Sequence, residues 1–348
     1  MISTKGFAAL QPKSAIEPFP FERRDLGPND VLIAIEYCGI CHSDLHQVNE
    51  DWGPGIFPMV PGHEIVGHVT QVGSAVKKFK VGDTAGVGCM VDSCGTCATC
   101  KSGDEQYCEV ATVWTYNAKD KQGRPTYGGY SDKIVVDEAF VIKISPKLNI
   151  AAAAPILCAG ITTYSPLRHW NIGKGKKVGI AGLGGLGHMG LKFAHAMGAH
   201  VILFTTSLKK RDDALRLGAD EVILSTDSNA LVKHTASFDM ILDTISADHD
   251  LGPSLQLLKL DGALVLVGLP GKPAAVSAGD LAAKRRHLTG SAIGGIRETQ
   301  EMFDYCADKN IVSDIEIVQP AQINEAYKRL ATNDVKYRFV IDIAGKSR

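Results

Sequence analysis

Nine cysteines fall at positions 38, 41, 89, 94, 97, 100, 108, 158 and 306, and four of them lie within fifteen residues. Disulfides do not persist in a reducing compartment, so clustered cysteines there point to a metal or to catalysis. The run Cys94-x2-Cys97-x2-Cys100-x7-Cys108 puts four thiols in one short segment. Four thiolates close a tetrahedral shell and leave no open position, which is the arrangement of a structural zinc. Short Cys-x2-Cys spacings also serve iron–sulfur clusters, but the seven-residue gap and the lack of a following proline fit that run poorly. Four unpaired thiols in a loop would be reactive groups without a purpose.

A second set is dispersed. Gly39-Ile40-Cys41-His42-Ser43-Asp44-Leu45-His46 packs a thiol, two imidazoles, a hydroxyl and a carboxylate together, and Pro61-Gly62-His63-Glu64 adds an imidazole beside a carboxylate. Cys158 stands far from both. Two cysteines and a histidine with a fourth position open form a catalytic zinc site. Spacing alone does not select Cys158 over Cys38, Cys89 or Cys306. Taken singly, each of these residues reads as a buried thiol or a satisfied histidine.

A third pattern is Gly182-Leu183-Gly184-Gly185-Leu186-Gly187. Gly-x-Gly-x-x-Gly between a strand (177–182) and a helix (186–197) gives a tight turn, a bare backbone for a pyrophosphate and close strand–helix packing. The helix would direct its free N–H groups at the phosphates. An NAD site carries an acidic residue about twenty positions on. Here Phe204 is followed by Thr205-Thr206-Ser207 and then Leu208-Lys209-Lys210-Arg211, with no carboxylate until Asp212. Three hydroxyls and three cations suit a 2′-phosphate, so the expected cofactor is NADP(H).

The elements that must position these groups fall into two regimes. The first 150 residues read as strands joined by Gly/Pro-rich loops. Val31, Ile33, Ile35 and Tyr37 alternate as in a half-buried strand, 65–72 and 134–136 are similar, and long loops are expected at 49–62 and 92–129. From Lys176 strands alternate with helices: 177–182, 201–205, 221–224, 239–243, 263–268 and a sixth at 287–293, with a helix over 209–217 stopped by Gly218. Such alternation implies a doubly wound parallel sheet. After Gly294 a helix over 297–309 and a strand over 338–343 are expected to pack back onto the first region.

A chain of 348 residues exceeds one ordinary core, which supports two domains. Thirty-seven basic against 38 acidic residues give a net charge of −1 and no basic stripe, which argues against nucleic acid. The longest uncharged run, 148–167, contains two prolines and no long block of large apolar residues, and the N-terminus lacks a signal-like apolar core. No membrane association is expected, and the location expected is cytoplasmic.

With these motifs in order, the chain resembles the zinc-dependent medium-chain alcohol dehydrogenases, closest to the cinnamyl-alcohol dehydrogenase group and its bacterial aldehyde-reductase relatives. The resemblance is carried by the segments 39–46 and 61–64, the four-cysteine loop, Leu157-Cys158-Ala159-Gly160-Ile161-Thr162, Gly182 to Gly187, Thr205-Thr206-Ser207 with Lys210, and the closing Val335-Lys336-Tyr337-Arg338-Phe339-Val340. It implies an α/β chain: a GroES-like β-rich catalytic domain over 1–158 and 297–348, with a doubly wound (Rossmann) dinucleotide-binding domain over 159–296 inserted between its parts.

The resemblance further implies two zinc ions per chain. Cys41, His63 and Cys158 would hold the catalytic one, a Cys2His set for which alcohol dehydrogenase is the standard example, with Glu64 as an occasional ligand. Cys94, Cys97, Cys100 and Cys108 would hold the structural one. Asp44 would fix the tautomer of His63, Ser43 and His46 would form a proton relay, and His42 would face the pyrophosphate. Thr162, Thr244, Ser291 and Ile293 match cofactor-contacting positions. Trp52, Phe57 and Trp114 resemble pocket positions suited to a flat aromatic aldehyde. The chemistry implied is reversible hydride transfer between a primary alcohol and NADP⁺ in a homodimer. A zinc-free quinone reductase of the same superfamily would need none of these ligands. A non-catalytic NADP-binding sensor on the same fold would not need the relay.

Overall fold

The computed structural model describes residues 1–346, and the last two residues of the 297–348 segment lie outside the described residues. The chain forms two compact units, Met1–Ile161 with Gly294–Arg348, and Thr162–Ile293.

The first unit is built on a sheet ordered Ile315–Val318, Arg338–Asp342, Asp30–Ile40, Ile65–Val72, Thr84–Val87 and Ile142–Lys143, with Lys133–Asp137 also paired to Asp30–Ile40. A hairpin of Ile2–Ala9 and Ile16–Arg23 stands apart from this ladder. Asp30–Ile40 is its axis. One edge pairs with Ile65–Val72, and the other pairs first with Lys133–Asp137 and then with Arg338–Asp342. The period-two alternation predicts a half-buried strand here, but ten of its eleven residues are buried. The second face carries Leu32, Cys38 and Ile40 together with two carboxylates, Asp30 and Glu36. Each carboxylate has a partner: Arg24 binds Asp30, and His68 lies 3.1 Å from Glu36.

Antiparallel pairing sets Phe339 opposite Ile40 and Val340 opposite Gly39, so a strand at the end of the chain finishes the edge from which Cys41 departs. The region 92–129 is mostly loop but contains the short helix Ala98–Ser102, a 3-10 turn at Glu105–Tyr107 and the strand Val113–Trp114. The helix expected over 297–309 runs Ile296–Lys309 and belongs to this unit.

The second unit is a six-stranded sheet in the order Glu221–Leu224, His200–Thr205, Lys177–Ala181, Phe238–Asp243, Leu258–Leu266, His287–Gly290, every pair parallel. Numbered along the chain this is 3-2-1-4-5-6, the doubly wound order with its reversal beside the first strand. Its core joins Ile202, Phe204, Phe238, Ile241, Leu255 and Leu264. The expected sixth strand ends at Gly290 rather than Ile293, and Ile293 has φ +41°, outside the extended region. The segment expected as one helix over 209–217 begins as a 3-10 turn, Leu208–Lys210, and turns α-helical over Arg211–Arg216. Ser207 caps that turn by accepting from Lys209 N–H.

Among the described residues no single helix is long and apolar enough to cross a membrane. The uncharged run around Cys158 forms Ile150–Leu157 and Ala159–His169, bent by 58° at Cys158.

Candidate active site and metal centres

In the four-cysteine loop, Cys94 Sγ lies 3.8 Å from Cys100 Sγ and Cys97 Sγ lies 3.9 Å from Cys108 Sγ. All four sulfurs lie within 4.8 Å of one another. Sulfurs on a tetrahedral zinc at about 2.3 Å stand roughly 3.8 Å apart, so the cluster fits that ion. The loop supplies its own electrostatics. Hydrogen bonds from the Thr99 hydroxyl and from Cys100 and Glu109 N–H bring the Cys97 thiol down to about 5. The Cys94 N–H lowers Cys108, while burial pushes Cys100 up to about 11. Glu105 accepts from Ile296 N–H at 3.0 Å and Arg297 donates to Ser102 O at 2.6 Å, which ties the loop to the start of the Ile296–Lys309 helix.

The second cluster is buried throughout. Ligand atoms of Cys41, His63, Glu64 and Cys158 lie within 4.8 Å of one another, with the two sulfurs 4.0 Å apart. Cys41 caps the helix His42–Asn49, and Asp44 closes the cap by accepting from Cys41 N–H at 2.8 Å. Gly62, at φ +102°, turns the chain so that its N–H reaches Asp44 at 3.1 Å and His63 enters the cluster. A Cβ at Gly62 would come within 2.7 Å of both Cys38 Sγ and the Tyr130 ring. Cys158 arrives at the bend between two helical segments.

His63 Nδ1 lies 3.2 Å from Asp44, so Nε2 is the nitrogen free for a metal. Burial lowers the basicity of His63, but the charges of Asp44 and Cys89 and the hydrogen bonds to Asp44 and Cys41 together outweigh it and hold the pKa well above the ordinary value. A hydrogen bond from Cys158 and the Arg338 charge hold the Cys41 thiol well below the thiol range, against the effect of burial. Arg338 is 3 % exposed and pairs with Glu64. Burial works against its charge, and Glu64 with the two cysteine sulfurs outweighs that. The second oxygen of Glu64, Oε2, is buried with no hydrogen-bond partner among the described residues. An orphaned carboxylate oxygen beside two thiols and an imidazole suits a cation, and this donor set fits zinc.

Around this cluster, Ser43 Oγ lies 3.5 Å from Cys41 Sγ. His46 Nδ1 pairs with Asp51 at 2.8 Å, and its ring lies 4.9 Å from that of Trp52. His42 is half-buried, its pKa lowered by burial, and its ring stands 6.3 Å from that of His46. Trp52 and Trp114 are 44 % and 42 % exposed, and Phe57 is half-buried before a cis bond to Pro58.

In the second unit the glycine loop follows strand Lys177–Ala181. A Cβ on Gly187 would overlap Gly182 O, whereas one on Gly184 would meet nothing within 4 Å, leaving the backbone open to a ligand. Helix Gly187–Ala196 starts there, and Leu183, Gly185 and Leu186 are half-buried around its N-terminus. Lys210 Nζ donates to Leu183 O at 3.3 Å, which brings the basic segment to the loop. Thr206 is exposed at the end of the second strand, while Thr205 and Ser207 bond each other across a turn. Thr244 donates to Ala181 O at 2.7 Å, Ser291 N–H donates to Leu266 O at 3.1 Å, and Thr162 is buried.

Several residues at the buried cluster carry no role that sequence patterns predict. Arg338 lies in the closing motif, but only strand register brings it to Glu64. Cys89, expected as packing, makes a hydrogen bond with Cys158 that lowers its pKa. Tyr116 stacks on His63 at 5.8 Å, and Tyr130 reaches Asp44. Cys306 is fully buried and pushed up to about 12 by burial, which suits packing.

Two families match the chain: the alcohol dehydrogenase GroES-like domain over residues 27–146 and the zinc-binding dehydrogenase over residues 185–308. NADP-dependent alcohol dehydrogenase C 1 of Mycolicibacterium smegmatis is 56% identical over 345 residues, 99% of each chain. The aldehyde reductase YahK of Escherichia coli is 55% identical, covering 97% of each chain. Among solved structures, a cinnamyl alcohol dehydrogenase of Sorghum bicolor superposes with a TM-score of 0.96 at 44% identity, covering 99% of this chain and 98% of that one.

Proposed function

Because the chain belongs to the zinc-dependent medium-chain alcohol dehydrogenases, in the cinnamyl-alcohol dehydrogenase group, we propose that it interconverts primary alcohols and aldehydes with NADP(H), preferring aromatic substrates of the cinnamyl and benzyl type. The observation that carries this reading is the buried convergence of Cys41, His63, Cys158 and Glu64. When bound, zinc supplies a Lewis acid for the substrate oxygen, and the nicotinamide gives or takes the hydride.

The chain's own groups do the rest. Cys41, His63 and Cys158 hold the metal, with Glu64 in reach, and the four loop cysteines hold a second zinc of structural role. Asp44 holds the Nδ1 proton of His63 and so keeps Nε2 turned to the cluster. Arg338 offsets the negative charge that two thiolates and Glu64 bring into a buried space. Ser43 Oγ stands next to Cys41 and takes the inner end of a proton relay. His46 takes its outer end, with its ring oriented by the Asp51 carboxylate at Nδ1. Trp52 and Trp114 expose large aromatic surface that the core does not use, which supports a flat aromatic substrate, with Phe57 as a third wall.

Unit Thr162–Ile293 takes the cofactor. Gly182 to Gly187 and the following helix receive the pyrophosphate, and Thr205, Thr206, Ser207 and Lys210 receive the 2′-phosphate. Thr162, Thr244, Ser291 and Ile293 complete the contacts. The protein works as a cytoplasmic homodimer. The strand His287–Gly290, unpaired on one side among the described residues, supports pairing with a second copy.

The test is the rate of NADPH oxidation with cinnamaldehyde, benzaldehyde and a short aliphatic aldehyde, repeated with NADH. Fast turnover of the aromatic aldehydes with NADPH is expected. Activity with NADH alone would overturn the 2′-phosphate site, and a preference for the aliphatic aldehyde would overturn the aromatic pocket. No turnover at all on protein holding two zincs would leave a non-catalytic NADP-binding role.

A further inference from the structure

Asp44 is fully buried, and its carboxylate receives donors on every side. Oδ1 takes Gly62 N–H at 3.1 Å and faces His63 Nδ1 at 3.2 Å. Oδ2 takes Cys41 N–H at 2.8 Å and Tyr130 Oη at 3.3 Å. An ionised carboxylate offers about four acceptor sites, and beside these four donors the buried Tyr116 hydroxyl also bonds to Asp44. Three of the donors are backbone or ligand groups that the turn and the helix cap provide. The fourth comes from elsewhere in the sheet domain.

Tyr130 is 0 % exposed, just before the strand Lys133–Asp137. Its hydroxyl in turn receives Tyr327 Oη at 3.4 Å, from the buried face of helix Ile323–Ala331. A buried hydroxyl costs free energy unless it is bonded, and a phenylalanine would fill either place without that cost. The direction of the chain is fixed. A carboxylate cannot donate, so Tyr130 donates to Asp44 and Tyr327 donates to Tyr130. Burial keeps both phenols protonated, as donors must be.

We propose that Tyr327 and Tyr130 form a positioning chain that locks Asp44 and, through it, sets how tightly His63 holds the buried metal. The Tyr130 bond fixes the rotation of the carboxylate about Cβ–Cγ, so that Oδ1 stays in line with His63 Nδ1. This rests on the reading of Cys41, His63 and Cys158 as a zinc site.

The experiment compares the zinc-loaded full chain with Tyr130→Phe, Tyr327→Phe and, as a control for loss of a neighbouring phenol, Tyr127→Phe. Zinc transfer to a chromogenic chelator is followed in time, and the phase missing in His63→Ala identifies the buried site. Tyr130→Phe should release that zinc about tenfold faster, the lower end for loss of a group that orients a metal ligand. Tyr327→Phe should do so about two- to threefold faster, since it removes one neutral bond from the chain. The loop-zinc phase and the Tyr127→Phe protein should match wild type. With Co2+ in place of zinc, the visible bands of the buried site should shift in Tyr130→Phe. A Tyr130→Phe protein that only melts earlier, with unchanged release and cobalt spectrum, would reduce the pair to packing and overturn the proposal. Should Tyr130→Phe not fold, an unchanged release rate in Tyr327→Phe would do the same. A His63→Ala protein with full zinc content would instead defeat the zinc reading itself.

Discussion

The four-cysteine cluster draws every sulfur from positions 94 to 108, a single loop tied to one helix start. The buried cluster takes Cys41 from a helix cap, His63 from a glycine turn and Cys158 from a helix bend 117 residues after Cys41, and its charge is balanced by Arg338, 274 residues from Glu64. In the loop, local N–H groups and hydroxyls adjust the thiols, so the site is prepared as soon as the loop closes. In the interior the sheet and its flanking helices bring Cys41, His63 and Cys158 together from distant parts of the chain, and a distant cation makes the collected negative charge tolerable. A site made locally can be lost without the rest, whereas a site made by the fold shares its partners with the core.

That contrast can be broken experimentally. His63→Ala should lower kcat for aldehyde reduction by about a thousandfold or more, the rate equivalent of several kcal/mol of charge stabilisation. Cys97→Ser should lower zinc content and melting temperature while folded molecules keep most of their turnover. Similar kinetic losses in the two variants would erase the distinction.

Arg338→Met leaves Glu64 buried without its cation and should cost about 3–5 kcal/mol in denaturant unfolding. The double variant Arg338→Met/Glu64→Gln should recover part of that loss. A cost near zero for the single variant would mean that Glu64 is neutral in the fold.

Lys210→Ala tests the second unit, with an expected rise of about tenfold in KM for NADPH and little change for NADH. Equal changes for both cofactors would place Lys210 at the glycine loop alone.

The smallest effect is at Asp30. Burial opposes its ionisation, and the bonds from Arg24 and Gly27 outweigh it, so its pKa lies below the ordinary value. A depressed carboxyl stabilises the fold above its unfolded pKa of about 3.9, and the contribution is lost as pH falls through the folded value. Asp30→Asn should therefore cost about 1–2 kcal/mol at pH 7, and the gap to wild type should close as the pH falls below about 4. A gap that is constant with pH would mean that the Arg24 pair does not depend on charge.

The same local-versus-assembled difference governs what the sequence reveals. The cysteine loop and the Gly182–Gly187 turn are legible because their residues are neighbours and their spacing carries the geometry. The alternating strands after Lys176 are legible for a similar reason, and the sheet follows their order. Nothing local marks Cys158 over Cys89, Cys38 or Cys306, and only family resemblance singles it out. Arg338, Tyr130 and Tyr327 look like ordinary strand and helix residues until register pairs Phe339 with Ile40 and the helix Ile323–Ala331 delivers a phenol to Tyr130. The alternation in 31–37 suggests one buried face, because pattern counts apolar residues and cannot see that Arg24 and His68 make Asp30 and Glu36 fit to bury.

The most direct test of two separately built sites is the zinc content of wild type and Cys158→Ala, measured beside NADPH-linked reduction of cinnamaldehyde. Wild type should carry two zincs per chain, and Cys158→Ala should carry one, held by the four-cysteine loop, with turnover lost. Loss of both metals together, or retention of turnover with one, would contradict it.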